Sequence, residues 1–424
     1  MPSVPCCAGA VNMLRGVQCR LYPTAEQREF FARSFGCVRF VYNEALAYCQ
    51  AEREAQRKHP NAIDLQKRLV SLKGQYPWLA DVDSQALKES CRDLDKAFAA
   101  FFRRVKAGQT PGYPRFKSRN DRANSYTATQ RLHADFCDRR IKLPKCGWVK
   151  CRGLRKFDGK IKSITVRQSA SGRYTASLLI EDGHAEPLPT ALPAGVAVTG
   201  IDMGCKTEGD RQQLATLSTG QVIMMPAYLK GALKRLARAQ RKLARKTKGS
   251  NNRRKQRQLV ARLHERVANQ RRDFLHQTTH RLTRENQALA VEDLNVKGMM
   301  ASPRPKQDEQ GGYLPNGRAA KRGLARSLTN VGLGEFARQL RYKALWRGVA
   351  LLECGRFEPS SKTCSGCGHR LAELPLAVRA WVCPECGAEH DRDVNAAINI
   401  RNFAIMAVGA GSPELKLPER GTAA

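Results

Sequence analysis

Acidic residues are scarce in this chain: 38 Asp and Glu stand against 74 Lys and Arg in 424 residues, a formal net charge of +36. Folding does not need that surplus, which costs stability through self-repulsion, so the balance points to a polyanionic partner. Long apolar runs are missing too. No stretch of about 18 apolar residues occurs, so no membrane span is expected. Nor is there a basic segment leading into an apolar one, as in a signal peptide, or an amphipathic or lipidated anchor. That disfavours a polybasic membrane-surface protein and leaves nucleic acid as the expected partner. The 15 cysteines include four in one motif; the others are scattered without regular spacing. This argues against a disulfide framework and for reduced thiols in a cytoplasm.

The four patterned cysteines lie in CSGCGHRLAELPLAVRAWVCPECGAEHDRDVNAAINI, residues 364–400. Cys364/Cys367 and Cys383/Cys386 are two CxxC pairs at the spacing of a structural zinc site. Four thiolates saturate one Zn²⁺ and leave no open position, so His369 and His390 beside the knuckles are not read as ligands. An acidic pair, Asp391 and Asp393, follows at once and opens an apolar helical run.

Residues 1–12 join no pattern and read as a disordered leader. A strand at 14–22 is followed by a helix start at Thr24, then helical periodicity to about residue 106. The Gly/Pro-punctuated segment 108–114 breaks it. Alternating runs at 140–143, 148–152, 161–166 and 174–181 predict β structure, and with 14–22 they could close a small barrel. A Pro-rich linker, 184–195, is the main boundary. Beyond it come strands at 196–204, 212–218, 221–226, 288–295 and 349–354, with two long basic helices at 227–246 and 253–285. A polar loop, 298–324, and a helix at 334–346 complete the pattern, which implies one α/β domain with insertions.

Three acids in this domain suit metal-assisted phosphodiester hydrolysis: Asp202 at the end of a strand, Glu292 in another, and Asp393 beside the last helix. Two Mg²⁺ ions about 3.5–4 Å apart clamp the attacking and leaving oxygens of such a reaction, and a few carboxylates from separate elements are sufficient ligands. Glu292 and Asp293 are strand neighbours pointing to opposite faces, so only one can reach the metals. Asp391 is placed to cap the helix, leaving Asp393 in its first turn. As solvated surface acids, Asp202 and Glu292 would be oddly placed, since each sits in an apolar strand where an unpaired charge is costly.

The order GIDMG (200–204), VEDLN (291–295), CSGCG…CPECG and HDRDVNAAINI (390–400) resembles the TnpB family of RNA-guided nucleases of bacterial insertion sequences. RLYPTAEQ, VRFVYNEAL, PGYPRFKS, LPKCGWVK, QRRDFLHQTTHRL and GEFARQLRYKA extend the likeness over roughly residues 13 to 405. The resemblance implies a RuvC-like nuclease domain of RNase H fold at 196–358 and 388–405, with a zinc ribbon at 359–387 inserted in it. A wedge β-barrel at 13–25 and 121–185 would carry a helical recognition bundle at 26–120, a linker would fill 186–195, and a flexible tail would follow from 406 to 424. Asp202, Glu292 and Asp393 would hold the two Mg²⁺ and Cys364, Cys367, Cys383 and Cys386 the one Zn²⁺.

The implied partners are a guide RNA, transcribed without coding from the element's right end, and target double-stranded DNA bearing a short transposon-adjacent motif. The complex would be a monomeric ribonucleoprotein in a bacterial cytoplasm. Motif-reading positions fall near Ser84, Gln85, Lys88 and Gln130, residue types that can contact bases. Arg235, Arg238, Lys242 and Arg245, on a helix nearly without acids, suit phosphate contact. The alternatives are a cleavage-deficient RNA-guided repressor and a miniature type V CRISPR effector. Two departures stand out: extra residues at Thr207–Arg211, and the long 298–324 loop where relatives have a lid.

Overall fold

The computed structural model describes residues 12–119, 124–185, 192, 195–209 and 211–409. The chain divides into two compact units, Met1–Glu186 and Pro187–Ala424. The expected leader and most of the linker and tail lie outside the described residues.

The first unit runs β1 (Asn12–Leu21), α1 (Ala25–Glu54), α2 (Ala62–Gln75), a 3₁₀ turn (Pro77–Asp81) and α3 (Ser84–Lys106). Six strands follow: β2 (Asn124–Ala128), β3 (His133–Asp135), β4 (Arg140–Leu143), β5 (Gly147–Arg152), β6 (Lys160–Gln168) and β7 (Tyr174–Ala185). Thr24 begins α1 with a capping box, its hydroxyl accepting from the Gln27 amide while the Gln27 side chain returns the bond. The apolar face of α1 then packs on the sheet: Phe31, fully buried, meets Tyr174 at 5.5 Å and Tyr126 at 6.1 Å between ring centres. The strands pair in the order β2-β6-β7-β1-β5-β4-β3, all antiparallel. Among the described residues no pairing joins β3 back to β2, so this is a seven-stranded sheet rather than the closed barrel expected.

The second unit runs β8 (Val198–Met203), β9 (Thr207–Glu208), β10 (Arg211–Leu217), β11 (Val222–Met224), α4 (Ala227–Ala244), α5 (Asn251–Glu285) and β12 (Ala288–Glu292). Then come α6 (Val296–Met300), β13 (Lys306–Gln307), β14 (Tyr313–Leu314), α7 (Arg318–Val331), α8 (Leu333–Arg347) and β15 (Ala350–Cys354). It ends with β16 (Ala380–Val382), β17 (Glu389–Asp391) and α9 (Arg392–Gly409). The main sheet has the order β11-β10-β8-β12-β15; β8, β12 and β15 are parallel, and β10 and β11 antiparallel.

Both faces of this sheet are covered, which is why its strands read as apolar runs rather than alternating ones. Ile201, Met203, Leu289 and Val291 join a core with residues of α4, α5 and α8. Val198, Ala288, Ala290 and Leu352, of the opposite parity, pack with Ile400 and Ala404 of α9. The α4–α5 hairpin is fastened by Arg253, whose guanidinium donates to the Leu243 and Lys246 carbonyls at the end of α4.

Two further expectations are corrected, and the Thr207–Arg211 insertion takes a defined form. The 298–324 segment is not all loop: it holds the β13–β14 hairpin and the first turns of α7. Gly317, at φ 69°, starts that helix, and Leu328 and Val331 bury its face. The Thr207–Arg211 insertion is a small hairpin, β9 pairing with β10. Helix α9 continues to Gly409, past residue 406 where the tail was expected to begin.

Candidate functional site

Strand register and helix packing bring the three acids to one end of the parallel strands. Val198, Gly200 and Asp202 share one face of β8, while Ala288, Ala290 and Glu292 share the same face of β12. The pairs Ala288↔Val198 and Ala290↔Gly200 are in register, so the next step sets Glu292 beside Asp202. Helix α9 lies on this face. A Cβ on Gly200 would stand 2.0 Å from the Ala397 carbonyl oxygen, so only glycine lets the helix come so close. Asp202 is two residues beyond Gly200, and Asp393 is one helical turn before Ala397; the close approach sets one above the other.

Their charges interact. Burial, then the carboxylates of Asp393 and Glu292, push the Asp202 pKa up to about 7 against the pull of Arg392. Burial and then Asp293 raise Glu292. Asp393 is met by Gln213 Nε2 at 3.4 Å, Arg379 Nη1 at 3.8 Å and Lys206 Nζ at 4.0 Å. The neighbouring acids are otherwise engaged. Asp293 pairs with Arg356 at 2.5 Å, and Asp391 Oδ1 accepts from the amides of Asp393 and Val394, capping α9. Among the described residues only the four thiols bring their ligand atoms within 4.8 Å of one another, so the three carboxylates share a face without closing into such a cluster; as oxygen donors they would suit a hard divalent cation such as Mg²⁺.

The four thiols also fit their ion. Their Sγ atoms lie within 4.8 Å of one another, with Cys364–Cys386 at 3.7 Å and Cys367–Cys383 at 3.6 Å. Tetrahedral Zn²⁺ with Zn–S near 2.3 Å requires sulfur separations of about 3.8 Å. Gly368 and Gly387, at φ 82° and 69°, make the left-handed turn that closes each knuckle. Burial opposes ionisation of Cys364, but the backbone amides of Cys367 and Gly366 outweigh it and bring that thiol down to about 7. His390 is not a fifth ligand: its Nε2 lies 3.0 Å from Cys364 Sγ, and its ring packs on Trp381.

The module is tied to α9. Asn395 and Asn399, both buried, donate to the Thr363 carbonyl at 2.8 and 2.6 Å, and Asn395 accepts from the Ser365 amide. Arg392 donates to the Pro375 carbonyl at 2.6 Å.

Family comparisons agree with this layout. Residues 178–302 match a model described as "Probable transposase", 334–400 a Cas12f1-like TNB domain, and 13–58 a helix-turn-helix domain. In the structure that last span is β1 followed by the single helix α1. A Streptomyces pristinaespiralis protein named "Putative RNA-guided DNA endonuclease" is 36% identical over 408 residues, covering 94% of this chain and 91% of its own. The chain belongs to the TnpB family. InsQ of Escherichia coli K12, under the same description, is 35% identical over 404 residues, 94% of this chain and 95% of its own. The protein chain of a Cas12f1–sgRNA–target DNA complex superposes with a TM-score of 0.51 at 13% identity, over 92% of this chain and 99% of that one; it shows a shared fold.

In this TnpB-family chain Ser84, Gln85 and Gln130 line one pocket of about 730 Å³ in the first unit, together with Asp83, His133 and Lys142. Lys88, one turn along α3 from Ser84, does not line it. Arg235, Arg238 and Lys242 of α4 and Arg245 at its C-cap are exposed at three- and four-residue steps, while Leu236 and Ala239 are buried in the core. Among the described residues none of the four pairs with a carboxylate.

Sequence reasoning did not single out Gln213, Arg379 or the packing role of Gly200. A glycine inside an otherwise β-branched and aliphatic strand is the signal that would have pointed to a close backbone approach.

Gly200→Ala is expected to displace α9 and cost about 1–3 kcal/mol by overpacking, read as a lower denaturation midpoint. The raised pKa of Asp202 makes its protonated form the one the fold favours. That contribution is complete below about pH 4 and is lost as pH rises through about 7. In chelator-treated protein, Asp202→Asn should therefore raise the melting temperature above pH 7 and leave it unchanged below pH 4, as scanning calorimetry would record.

Proposed function

We propose that the chain is an RNA-guided, Mg²⁺-dependent DNA endonuclease of an insertion sequence, with Asp202, Glu292 and Asp393 as its metal-holding carboxylates. The observation that carries the reading is the placing of these acids on one face of the sheet, where burial first and then the carboxylates of Asp393 and Glu292 drive Asp202 toward neutrality. The main sheet supports assignment to an RuvC-like, RNase H type of fold: numbered within the unit and leaving out the two-residue strands β9, β13 and β14, its strands run 3-2-1-4-5. The names of the full-length relatives supply the substrate class.

Two bound Mg²⁺ would supply Lewis-acid stabilisation and an activated water. The three carboxylates would act as ligands, not as nucleophiles. Lys206 and Arg379, held beside Asp393, bring positive charge to where a scissile phosphate would sit, and the N-terminus of α9 adds its dipole. Guide–target pairing would set the sequence cut, the protein reading only a flanking motif and duplex shape. The pocket holding Ser84, Gln85 and Gln130 is the proposed motif reader. The exposed basic face of α4 would hold RNA or heteroduplex phosphates. In this reading the first unit comprises the wedge and recognition elements, and 359–387 is a zinc ribbon. The guide is non-coding RNA from the element's right end, and the complex is monomeric and cytoplasmic.

The test is plasmid cleavage in Mg²⁺ by protein purified with its RNA, on a target matching that RNA beside a randomised flank. Guided linearisation that falls by at least about 10³-fold in Asp202→Ala is expected. Tight guided binding without cleavage by the wild type would contradict the nuclease and favour the repressor.

A further inference from the structure

A second pocket in the first unit, about 370 Å³, lies between the ends of α1 and α3 and the segment around Tyr113. Its walls are aromatic. Phe98, Phe101 and Tyr113 meet edge-to-face at 5.3–5.5 Å between centres, and Phe102 leaves half its surface exposed. Its rim is basic: Arg53 stands over the Tyr113 ring and Arg57 beside it, with Lys58 next in the chain. Arg103, Arg104 and Lys106 lie in the last turn of α3, outside the pocket's lining. Two acids stand by: Glu52 is paired with Arg57 at 3.2 Å, and Asp95 acts on both His59 and Cys49 of the pocket wall.

Two details go beyond a frayed bundle end. His59 stands edge-on to Phe98 at 4.3 Å and Phe102 at 5.6 Å, and its Nε2 is buried without a protein hydrogen-bond partner. A buried ring nitrogen left so is destabilising, and a hydrogen bond with a bound group would offset that cost. Helix α1 ends in a Schellman turn, Gln56 N donating to Arg53 O at 3.0 Å and Arg57 N to Glu52 O at 2.8 Å. The left-handed residue of that turn is usually glycine; here it is Gln56, at φ 56°, and it lines the pocket. A conformation uncommon for a side-chain-bearing residue is kept where its amide can reach the cavity.

We propose that this pocket takes one unstacked nucleotide, its base against Phe101, Phe102 and Tyr113 with His59 and Gln56 on its polar edge, and its phosphate on Arg53 and Arg57. Aromatic walls accept any base face, and the basic rim selects a phosphate-bearing ligand over an apolar peptide or a lipid tail. The cavity admits a single nucleotide and not a duplex, so the ligand is an unpaired position. It could come from the RNA or from the displaced DNA strand. The inference rests on the reading above only in that a nucleic-acid strand is bound.

The test is photocrosslinking of the full-length protein with its RNA carrying 4-thiouridine or, in a second arm, with target DNA carrying 4-thiothymidine in the displaced strand. Crosslinked peptides are mapped by mass spectrometry, and total RNA affinity is followed in parallel by fluorescence anisotropy. A crosslink at residues 53–59 or 98–113 is expected in one arm, which names the source strand. Its yield should fall at least about fivefold in Phe102→Ala and also in Gln56→Gly. The second variant relieves the left-handed backbone and should melt no lower than the wild type, so a folding defect would not account for the loss. RNA bound at wild-type affinity with crosslinks only elsewhere would overturn the pocket and leave the nuclease reading standing. No RNA binding at all would overturn both.

Discussion

Gly200 has no side chain, and the carboxylate site depends on that. With Ala397 carbonyl oxygen 2.0 Å from where a Cβ would be, helix α9 rests on the backbone of β8 and not on a layer of side chains. Small residues continue the contact, with Ala396, Ala397 and Ala404 all buried. The consequence is geometric. A helix held one layer away would carry Asp393 out of reach of Asp202, and the mutual repulsion that raises the Asp202 pKa would fade with distance.

The same helix is gripped from its other side by the cysteine module. Asn395 and Asn399 spend their amides on the backbone around Thr363, and Arg392 reaches the Pro375 and Val378 carbonyls. Such buried hydrogen bonds fix orientation more than they add stability. The module also contributes Arg379, whose guanidinium faces Asp393. The four-cysteine cluster, which could hold a zinc ion, is thus built into the support of the helix that carries Asp393.

Much of this was legible because it depends on short-range rules. Period-two alternation separates Glu292 from Asp293, and the structure has Asp293 turned to Arg356. Capping chemistry separates Asp391 from Asp393. The paired CxxC spacing is a local signature of four converging sulfurs. What was hidden depends on tertiary contact or on mixed signals. Helix α7 was concealed by Gly317 and Gly323 in a polar stretch whose buried positions, Leu328 and Val331, come only at its end. Strand β3, with three residues, is too short to show alternation. Gln213 looks like any strand glutamine until β10 pairs beside β8 and brings it to Asp393. The pocket around His59 joins residues about 50 positions apart, a distance no periodicity spans.

The account turns on whether the three carboxylates act as one cation site. Anomalous diffraction from crystals soaked in Mn²⁺, a scattering stand-in for Mg²⁺, measures this directly. Anomalous peaks within ligand distance of Asp202, Glu292 and Asp393, absent from Asp202→Ala crystals, are the expected result. Full Mn²⁺ occupancy elsewhere on the chain with no peak among these three acids would contradict it.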